Sequence, residues 1–452
     1  MKINNAKKLQ WFMSPVRIIV LSFLCVILLG SVLLCLPIAS RGEHLSFLSA
    51  SFTATSATCV TGLTVVDPFT DLTYFGQFVL MCLIEIGGLG TGTLATFFIM
   101  IFSRKMGLRS LRLAQVSTAS NSLGKIKEIL KVTIIISAVI QALGAVILMT
   151  YFVPKYKLLG VWISVFTAVS SFCNAGFDVL GMEQKFGSLV NYNGEPVVMI
   201  TVMALIVLGG LGFIVYYDVL NYKKSKKLSL HTKLVLAISG ALIVLGALYF
   251  FCAEFSNLST IGNMTLGEKI TASFFQSVSA RTAGYASVDM DSLDAGTKVI
   301  MVILMLIGGS PSSTAGGLKT TTIAIIAATA MSAIRNRDEE LIFNRRIQRQ
   351  TINNAVSILT LGFVTVFILS WILILTTPGV SRINAVFEAS SAFATVGLTA
   401  GVTAKMTVFA KICTMFTMFI GRIGPLSFAL ALSQKQKSTA EKVYPEAKIL
   451  VG

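Results

Sequence analysis

The chain has 452 residues, of which 54% are hydrophobic and only 13% are charged. Soluble domains carry about 25% charged residues, so this composition excludes an ordinary soluble protein and favours an integral membrane protein. The net charge of +17 would also suit nucleic-acid binding, but the basic residues are confined to loops between apolar runs, and we predict no nucleic-acid partner.

The first apolar run extends from Ile18 to Leu36 and follows a basic N-terminus. Its length approaches the roughly 20 apolar residues that cross a bilayer as a helix. A secretory signal peptide is the alternative, with Ile38-Ala39-Ser40 as its cleavage site. However, the apolar part of a signal peptide covers only about 7–15 residues, and seven more apolar runs follow here. We therefore predict a retained membrane span.

Basic residues cluster in alternate loops, as the positive-inside rule expects of cytoplasmic loops. The clusters are Arg104, Lys105, Arg109, Arg112, Lys125, Lys127 and Lys131; Lys223, Lys224, Lys226, Lys227 and Lys233; Arg335, Arg337, Arg345, Arg346 and Arg349; and Lys435, Lys437, Lys442 and Lys448. The intervening loops are balanced or acidic. This pattern predicts a multi-pass protein in the lipid bilayer of the cell (plasma) membrane, with both termini cytoplasmic.

Four segments of similar sequence, aligned without gaps on a glycine, recur along the chain. They are FTATSATCVTGL (Phe52 to Leu63), FTAVSSFCNAGF (Phe166 to Phe177), FFQSVSARTAGY (Phe274 to Tyr285) and FEASSAFATVGL (Phe387 to Leu398). In each segment a Phe stands ten positions before the glycine. A second landmark follows that glycine by 24 or 25 residues in three copies and by 33 in the second: Gly87-Gly88, Gly209-Gly210, Gly308-Gly309 and Gly421-Arg422. Two landmarks in each of four copies indicate an internal repeat.

Each copy consists of an apolar span, a short segment ending at the glycine, and a second apolar span. The segment from Phe52 to Thr61 corresponds to about ten residues or roughly 15 Å of helix, half the hydrocarbon thickness of about 30 Å. It must re-enter the membrane, which requires surrounding protein or a water-filled cavity. We predict an all-α membrane fold of four M1–pore loop–M2 repeats, with eight transmembrane helices and four re-entrant pore helices in pseudo-fourfold arrangement. The divisions are residues 1–110, 111–227, 228–340 and 341–432 for the repeats and 433–452 for a cytoplasmic tail.

The four glycines predict a cation filter. Backbone carbonyls can replace the hydration shell of an ion, glycine adopts the required backbone angles at low cost, and the C-terminal end of a preceding half-helix favours a cation. The candidate filter residues are Val60, Thr61, Gly62, Asn174, Ala175, Gly176, Thr282, Ala283, Gly284, Thr395, Val396 and Gly397. None is a carboxylate, which favours a large monovalent cation over Ca2+ or Mg2+. The alternative is close helix packing, which suits Gly88 and Gly92 better.

The last span of the third copy is interrupted by GGSPSSTAGGLKTTT, Gly308 to Thr322. Proline and glycines disfavour a continuous helix, and a broken span beside a cavity points to a transport path; a merely kinked helix is the alternative. Arg422 is the charged residue of the last span of the fourth copy, and intramembrane arginines usually serve function. We predict that it contacts the interrupted segment and adds an electrostatic barrier to cations. The candidate gate residues are Gly308, Gly309, Ser310, Pro311, Ser312, Ser313, Thr314, Ala315, Gly316, Gly317, Lys319 and Arg422.

Two further charged residues lie in apolar surroundings. Glu85 is expected to pair with a buried base. Arg281 stands three positions before Gly284 and either braces its pore segment or acts electrostatically on ions.

The chain offers little to enzymatic chemistry. Its seven cysteines are scattered without C-x-x-C spacing, and its two histidines, His44 and His231, lie far apart. No nucleophile–base constellation or nucleotide motif accompanies them. We predict that the chain is not an enzyme and carries no covalent cofactor.

The motifs resemble those of the Trk/Ktr/HKT superfamily of potassium transporters, and most closely the bacterial Ktr membrane subunit. The stretches that carry the resemblance are TCVTGL, SFCNAGF, ARTAGY and ATVGL at the glycines, IGRIGPL from Ile420 to Leu426, and the terminal YPEAKILVG. The resemblance implies a K+ pathway with one selectivity glycine per repeat, an intramembrane loop as gate, a homodimer, and control by a cytosolic nucleotide-binding regulatory ring of the RCK/KTN type. Some plant relatives that prefer sodium carry a serine in the first filter, where this chain has Gly62.

The leading interpretation is a regulated potassium channel or channel-like transporter. A sodium-coupled potassium symporter and a sodium channel are the alternatives, with Na+ as a coupled or activating ion. The cytoplasmic loops and the tail from Ser433 to Gly452 are too small for a nucleotide-binding domain, which indicates a separate regulatory protein.

Overall fold

The computed structural model describes residues 15–90, 93, 126–336, 339–343 and 345–432. These residues are helical apart from turns, loops and one antiparallel pair of two-residue strands, β1 (Leu341–Ile342) and β2 (Arg345–Arg346). The α-helices are α1 (Pro15–Cys35), α2 (Phe47–Thr58), α3 (Tyr74–Leu89), α4 (Ile126–Tyr156), α5 (Leu158–Phe172), α6 (Pro196–Leu211), α7 (Phe213–Leu220), α8 (Tyr222–Ser225), α9 (Leu230–Glu254), α10 (Leu266–Ser279), α11 (Ala295–Leu306), α12 (Thr320–Ile334), α13 (Arg349–Thr376), α14 (Arg382–Ala394), α15 (Val408–Ile423) and α16 (Pro425–Leu432). Short 3-10 turns cover Pro37–Ala39, Val190–Tyr192 and Thr403–Lys405.

Four helices, α1, α4, α9 and α13, are long and apolar enough to cross a membrane. Two bent pairs also qualify if each pair is one span: α6 with α7, bent by 90°, and α15 with α16, bent by 99°. Helices α3, α11 and α12 are apolar but shorter. By length and composition, the described part of the chain therefore has four to six spans, and the arrangement of eight spans in four repeats stays a prediction.

Four shorter helices, α2, α5, α10 and α14, precede the four glycines and have 12, 15, 14 and 13 residues. At 1.5 Å per residue they extend about 18–23 Å, too short to cross about 30 Å of hydrocarbon.

For the first of these helices, α2, the prediction of a ten-residue helix from Phe52 to Thr61 is wrong at both ends. Helix α2 begins at Phe47 because the Ser46 hydroxyl caps it by accepting from the Ser49 amide. It ends at Thr58 because Val60 has a φ of 57°, which no right-handed helix continues.

The buried phenylalanines show that the third copy is offset by one residue. Ten positions before the glycine, the other copies have a fully buried Phe: Phe52, Phe166 and Phe387. In the third copy Phe274 occupies that position but is 38% exposed, and its neighbour Phe275 is buried instead. The gap-free alignment is therefore wrong here, and the stretch from the buried Phe to Gly284 is one residue shorter than in the other copies.

The second glycine landmark allows helices α3, α6 and α15 to approach the ends of three of the short helices. A Cβ on Gly87, Gly209 or Gly421 would lie 2.0, 1.9 or 1.8 Å from the carbonyl oxygen of Thr58, Phe172 or Phe393. No side chain fits at such distances, so in these three copies the landmark is a packing feature that lets a short helix contact its neighbour.

Three helices end shortly after the landmark. Helices α3, α6 and α15 end at Gly90, Gly212 and Gly424, with φ of 84°, 93° and 93° and ψ of 132°, 142° and 133°. Glycine adopts this conformation without a Cβ penalty. A break was predicted in the third copy only, although these glycines stand two positions after the landmark, where the third copy has Pro311.

Candidate functional site

The four predicted glycines lie together in one closed ring. A Cβ added to each glycine would collide with the carbonyl oxygen of the residue that precedes the next glycine in the chain. These approaches are Gly62 to Ala175 at 2.6 Å, Gly176 to Ala283 at 2.7 Å, Gly284 to Val396 at 2.2 Å and Gly397 to Thr61 at 2.1 Å. The last approach joins the fourth copy to the first, so four glycines and four carbonyl groups alternate around the ring.

Each quarter of the ring has left-handed backbone at two positions. The glycines have φ of 96°, 67°, 81° and 98°, and the residues two positions before them, Val60, Asn174, Thr282 and Thr395, have φ of 57°, 58°, 70° and 51°. A left-handed conformation costs a residue with a side chain about 1–2 kcal/mol. Such strain persists where the surroundings enforce it, often at functional sites. The three candidate filter residues of each copy thus form equivalent turns, and the four turns meet at the ring.

A serine at the end of each short helix holds its turn in place. The hydroxyls of Ser56 and Ser391 accept from the ring amides of Gly62 and Gly397 at 3.1 and 3.0 Å. These serines were not predicted from the sequence, although each stands four positions after the buried Phe.

The second and third copies use their serines differently. The Ser170 hydroxyl donates to the Phe177 carbonyl at 2.7 Å, and the Ser279 hydroxyl donates to the Tyr285 carbonyl at 2.5 Å. The Tyr285 hydroxyl in turn donates to the Phe177 carbonyl at 3.0 Å. These bonds tie the second and third quarters of the ring to each other just beyond the glycines.

One side of the ring opens into a cavity of about 470 Å³, which we call the acidic cavity. The charged residues that line it are Asp67, Asp178, Asp289 and Lys411. Asp178 stands two positions after Gly176, and its carboxylate accepts from the Leu180 amide at 3.0 Å. Burial raises the pKa of Asp178 to about 6, and the nearby Asp67 carboxylate contributes to this.

A buried carboxylate, Glu388, holds residues that line this cavity by accepting their hydrogen bonds. It was not predicted from the sequence. It is fully buried in α14 and accepts from the Thr399 hydroxyl at 2.9 Å, from the Ala400 amide at 3.3 Å and from the Thr403 hydroxyl. Thr399 and Thr403 line the acidic cavity. Glu388 therefore fixes the chain that leaves Gly397.

The predicted gate segment lies on the other side of the ring. Helix α11 ends at Leu306 and α12 begins at Thr320, so residues 307–319 form a non-helical segment, which we call the crossing loop. The expected end at Thr322 was three residues too late, because α12 already begins at Thr320. The two ends of the loop are held together, because the Gly308 amide donates to the Leu318 carbonyl at 2.9 Å.

The crossing loop packs directly against the ring. A Cβ on Gly316 would lie 1.9 Å from the Thr395 hydroxyl, and one on Gly308 would lie 3.1 Å from the Thr282 methyl group. The Thr314 hydroxyl donates to the carbonyl of Phe172 at the end of α5, at 3.2 Å. The loop therefore contacts the ring turns of the third and fourth copies and the end of the short helix of the second copy.

Arg422 connects the crossing loop to the first copy. Its guanidinium donates to the carbonyls of Thr314, Gly87 and Gly88, the last at 3.1 Å. Lys319 donates to the Ala315 carbonyl at 2.6 Å. Both basic side chains line a second cavity of about 430 Å³, which we call the basic cavity. It also contains the candidate gate residues Pro311, Ser312, Ser313, Ala315 and Gly317.

The two remaining charged residues have neutral partners. Glu85 accepts from the Gln141 amide at 2.9 Å and from the Cys173 thiol at 3.2 Å. Among the described residues no base pairs with Glu85, and its partners are these two neutral donors on α4 and just after α5. Arg281 is 8% exposed and donates to the hydroxyl of Ser239 on α9 at 3.1 Å, pointing to the helix behind it.

Close helix packing was predicted at Gly88 and Gly92, and the structure describes the first of them. A Cβ on Gly88 would lie 2.6 Å from the Cys173 sulfur, which is a close helix contact. Gly92, the basic residues from Arg104 to Lys125, and the tail from Ser433 lie outside the described residues.

Comparison with known proteins gives three findings. The family model TrkH, described as a cation transport protein, matches residues 4–442. The Ktr system potassium uptake protein B of Bacillus subtilis is 38% identical over 454 residues, which cover 100% of both chains. The potassium/sodium uptake protein NtpJ of Enterococcus hirae is 38% identical over 455 residues, which cover 99% of both chains.

Among solved structures, the potassium transporter TrkH from Vibrio parahaemolyticus matches with a TM-score of 0.69 over 91% of this chain and 84% of that chain. Its sequence identity is 17%, so this likeness concerns the fold alone.

Proposed function

The chain belongs to the TrkH family of cation transport proteins, and on this basis we propose that it is the potassium-translocating membrane subunit of a K+ uptake system. The family and the similar proteins are cation transporters, so the chain is a multi-pass membrane transporter and not an enzyme. The sequence-based resemblance to the Trk/Ktr/HKT superfamily is confirmed at the level of the family.

The closed ring of glycines and carbonyls is the observation that carries this proposal. Each copy contributes one glycine and one ring carbonyl, which is what a filter for a dehydrated cation requires. We infer four M1–pore loop–M2 repeats with eight transmembrane helices around a pseudo-fourfold axis. In this arrangement α11 and α12 are the two halves of one broken span.

The chemistry of the ring favours potassium. Its ligands are backbone carbonyls, and none of the candidate filter residues has a carboxylate. Mg2+ demands small octahedral sites and retains its waters, and Ca2+ sites are rich in carboxylates. A large and weakly hydrated monovalent cation loses its water most easily, so we assign K+ as the transported ion.

The crossing loop serves as the gate in this proposal. It lies against the ring on the side of the basic cavity, and the bond from Arg422 to the Thr314 carbonyl holds it there. Two positive charges, Arg422 and Lys319, line the same cavity and oppose the passage of cations. Opening requires that the loop move off the ring.

The proposal also covers the regulatory partner of the chain and its orientation in the membrane. The name of the similar Bacillus subtilis protein refers to a Ktr system, and we propose that this chain also works with a separate regulatory subunit, a cytosolic nucleotide-binding ring of the RCK/KTN type. We further propose a homodimer with both termini in the cytoplasm. The acidic cavity then faces outward and the basic cavity faces the cytoplasm.

A second candidate function is transport that also involves Na+. The similar Enterococcus hirae protein is named a potassium/sodium uptake protein, which favours a sodium-coupled symporter or a channel that also passes Na+. Gly62 in the first quarter of the ring argues for K+ preference.

The test is ion flux through the purified protein in liposomes, with the K+ and Na+ gradients varied separately. K+ movement that follows its own gradient without Na+ supports a channel, and K+ movement that requires a Na+ gradient supports symport. Gly284→Ser should abolish most of the preference for K+, because its Cβ would collide with the Val396 carbonyl, 2.2 Å away. Gly240→Ser is the matched control, because a Cβ there meets nothing within 4 Å. Unchanged selectivity in Gly284→Ser would contradict the filter.

A further inference from the structure

Asp178 has an unusual position at the rim of the glycine ring. It stands two residues after Gly176 and lines the acidic cavity. Its neighbour Phe177 is held by the Ser170 hydroxyl, which donates to the Phe177 carbonyl at 2.7 Å and accepts from its amide at 3.1 Å. The carboxylate therefore projects from backbone that is fixed to the ring.

The charge of Asp178 has no ion-pair partner in the part of the chain that the structure describes. One carboxylate oxygen accepts from the Leu180 amide at 3.0 Å, and within the described residues no lysine or arginine forms an ion pair with it. Lys185 and Lys155, which follow and precede Asp178 in the chain, pair with other carboxylates: Lys185 with Asp71 at 3.0 Å and Lys155 with Glu183 at 2.7 Å.

The other carboxylates of the acidic cavity, including the exposed Asp289, have both of their oxygens hydrogen-bonded by the protein. Asp67 is 1% exposed and receives hydrogen bonds from the amides of Phe69, Thr70 and Phe186, all at 2.9 Å. Asp289 accepts from the Asp291 amide at 3.1 Å and from the Ser292 hydroxyl at 2.7 Å.

Lys411 also lines the cavity and opposes cation entry. Because Asp178 stands next to the ring and is uncompensated, it is the carboxylate that counters this positive charge where ions approach the glycines.

We propose that Asp178 is an affinity-determining residue, whose carboxylate concentrates monovalent cations at the mouth of the ring before they lose their water. This inference rests on the proposed function, because it needs the ring to conduct cations. A fixed charge at the end of a cleft with low-dielectric walls raises the local concentration of counter-ions. The carboxylate acts by charge and not by shape, so its effect falls as salt screens it.

The experiment measures the apparent KM and the maximal rate of K+ flux in liposomes at pH 7.5. Asp178→Asn removes the charge, and its amide oxygen can still accept from the Leu180 amide. We expect the apparent KM for K+ to rise about three- to tenfold at low ionic strength, with the maximal rate nearly retained. Asp178→Glu keeps the charge and should have a KM close to that of the wild type. Adding an impermeant salt should reduce the difference in KM between Asp178→Asn and the wild type.

Glu43→Gln is the matched control, because Glu43 is exposed and does not line the acidic cavity. An unchanged KM in Asp178→Asn, an equal shift in Glu43→Gln, or a shift that salt does not alter would overturn the inference.

If Asp178→Asn does not fold, Asp178→Glu and the salt dependence of the wild-type KM decide the question, and a wild-type KM insensitive to salt overturns the inference. The outcome is separable from the proposed function, since K+ flux of the wild type tests the latter alone.

Discussion

Replacing Arg422 with Ala should release the crossing loop from the neighbouring helices and raise K+ flux. The guanidinium donates three hydrogen bonds to carbonyls, and the one to Thr314 is the bond that joins it to the loop. A hydrogen bond to a charged group contributes about 1.5–3 kcal/mol. Since about 1.4 kcal/mol is a factor of ten in an equilibrium constant, the open population should rise about ten- to a hundredfold.

The assay is K+ flux in liposomes together with single-channel open probability. Arg422→Lys separates two contributions, because it retains the positive charge of the basic cavity but lacks the planar fork that reaches three carbonyls. If the bonds close the path, the Lys variant resembles Ala; if the charge does, it resembles the wild type. Wild-type flux and open probability in Arg422→Ala would refute the role of this residue in the gate.

Two further predictions concern the ring and the loop. Ser391→Ala removes the hydroxyl that accepts from the ring amide of the fourth copy at 3.0 Å; leaving that donor unpaired costs about 1–3 kcal/mol and should lower K+ selectivity over Na+, measured as a flux ratio. Ser390→Ala is its control, because the buried Ser390 hydroxyl has no partner within the described residues; equal losses in both variants would contradict the prediction. Gly316→Ala places a Cβ 1.9 Å from the Thr395 hydroxyl, so the loop must shift off the ring and basal flux should rise. Gly267→Ala, where a Cβ meets nothing within 4 Å, should leave flux unchanged.

Several features were predictable because they depend on local chemistry. Long apolar runs require a membrane whatever their neighbours are. The interruption between Leu306 and Thr320 lies where Pro311 and several glycines disfavour a helix. The glycines at the ring were identifiable because their repeat occurs four times.

Other features depend on contacts between distant parts of the chain and were therefore missed or wrong. Glu85 was expected to need a base, yet Gln141 and Cys173, on α4 and after α5, satisfy it. The offset of the third copy was hidden, because Phe274 stands ten positions before Gly284, as the gap-free alignment requires, and Phe275 follows it directly. Only packing decides that Phe275 enters the core and Phe274 does not.

The sequence by itself determined the class of protein, the family and the identity of the repeated glycines. These conclusions require composition, hydropathy and a recurring motif, and all three can be read along the chain. The tertiary structure alone decided that the four glycines close into a ring in chain order, with Gly397 of the last copy against Thr61 of the first. It also decided that Arg422 reaches both Thr314 and Gly87. The physical reason is that backbone preferences act over a few residues, whereas a ring or a bridge between copies exists only once the helices have packed.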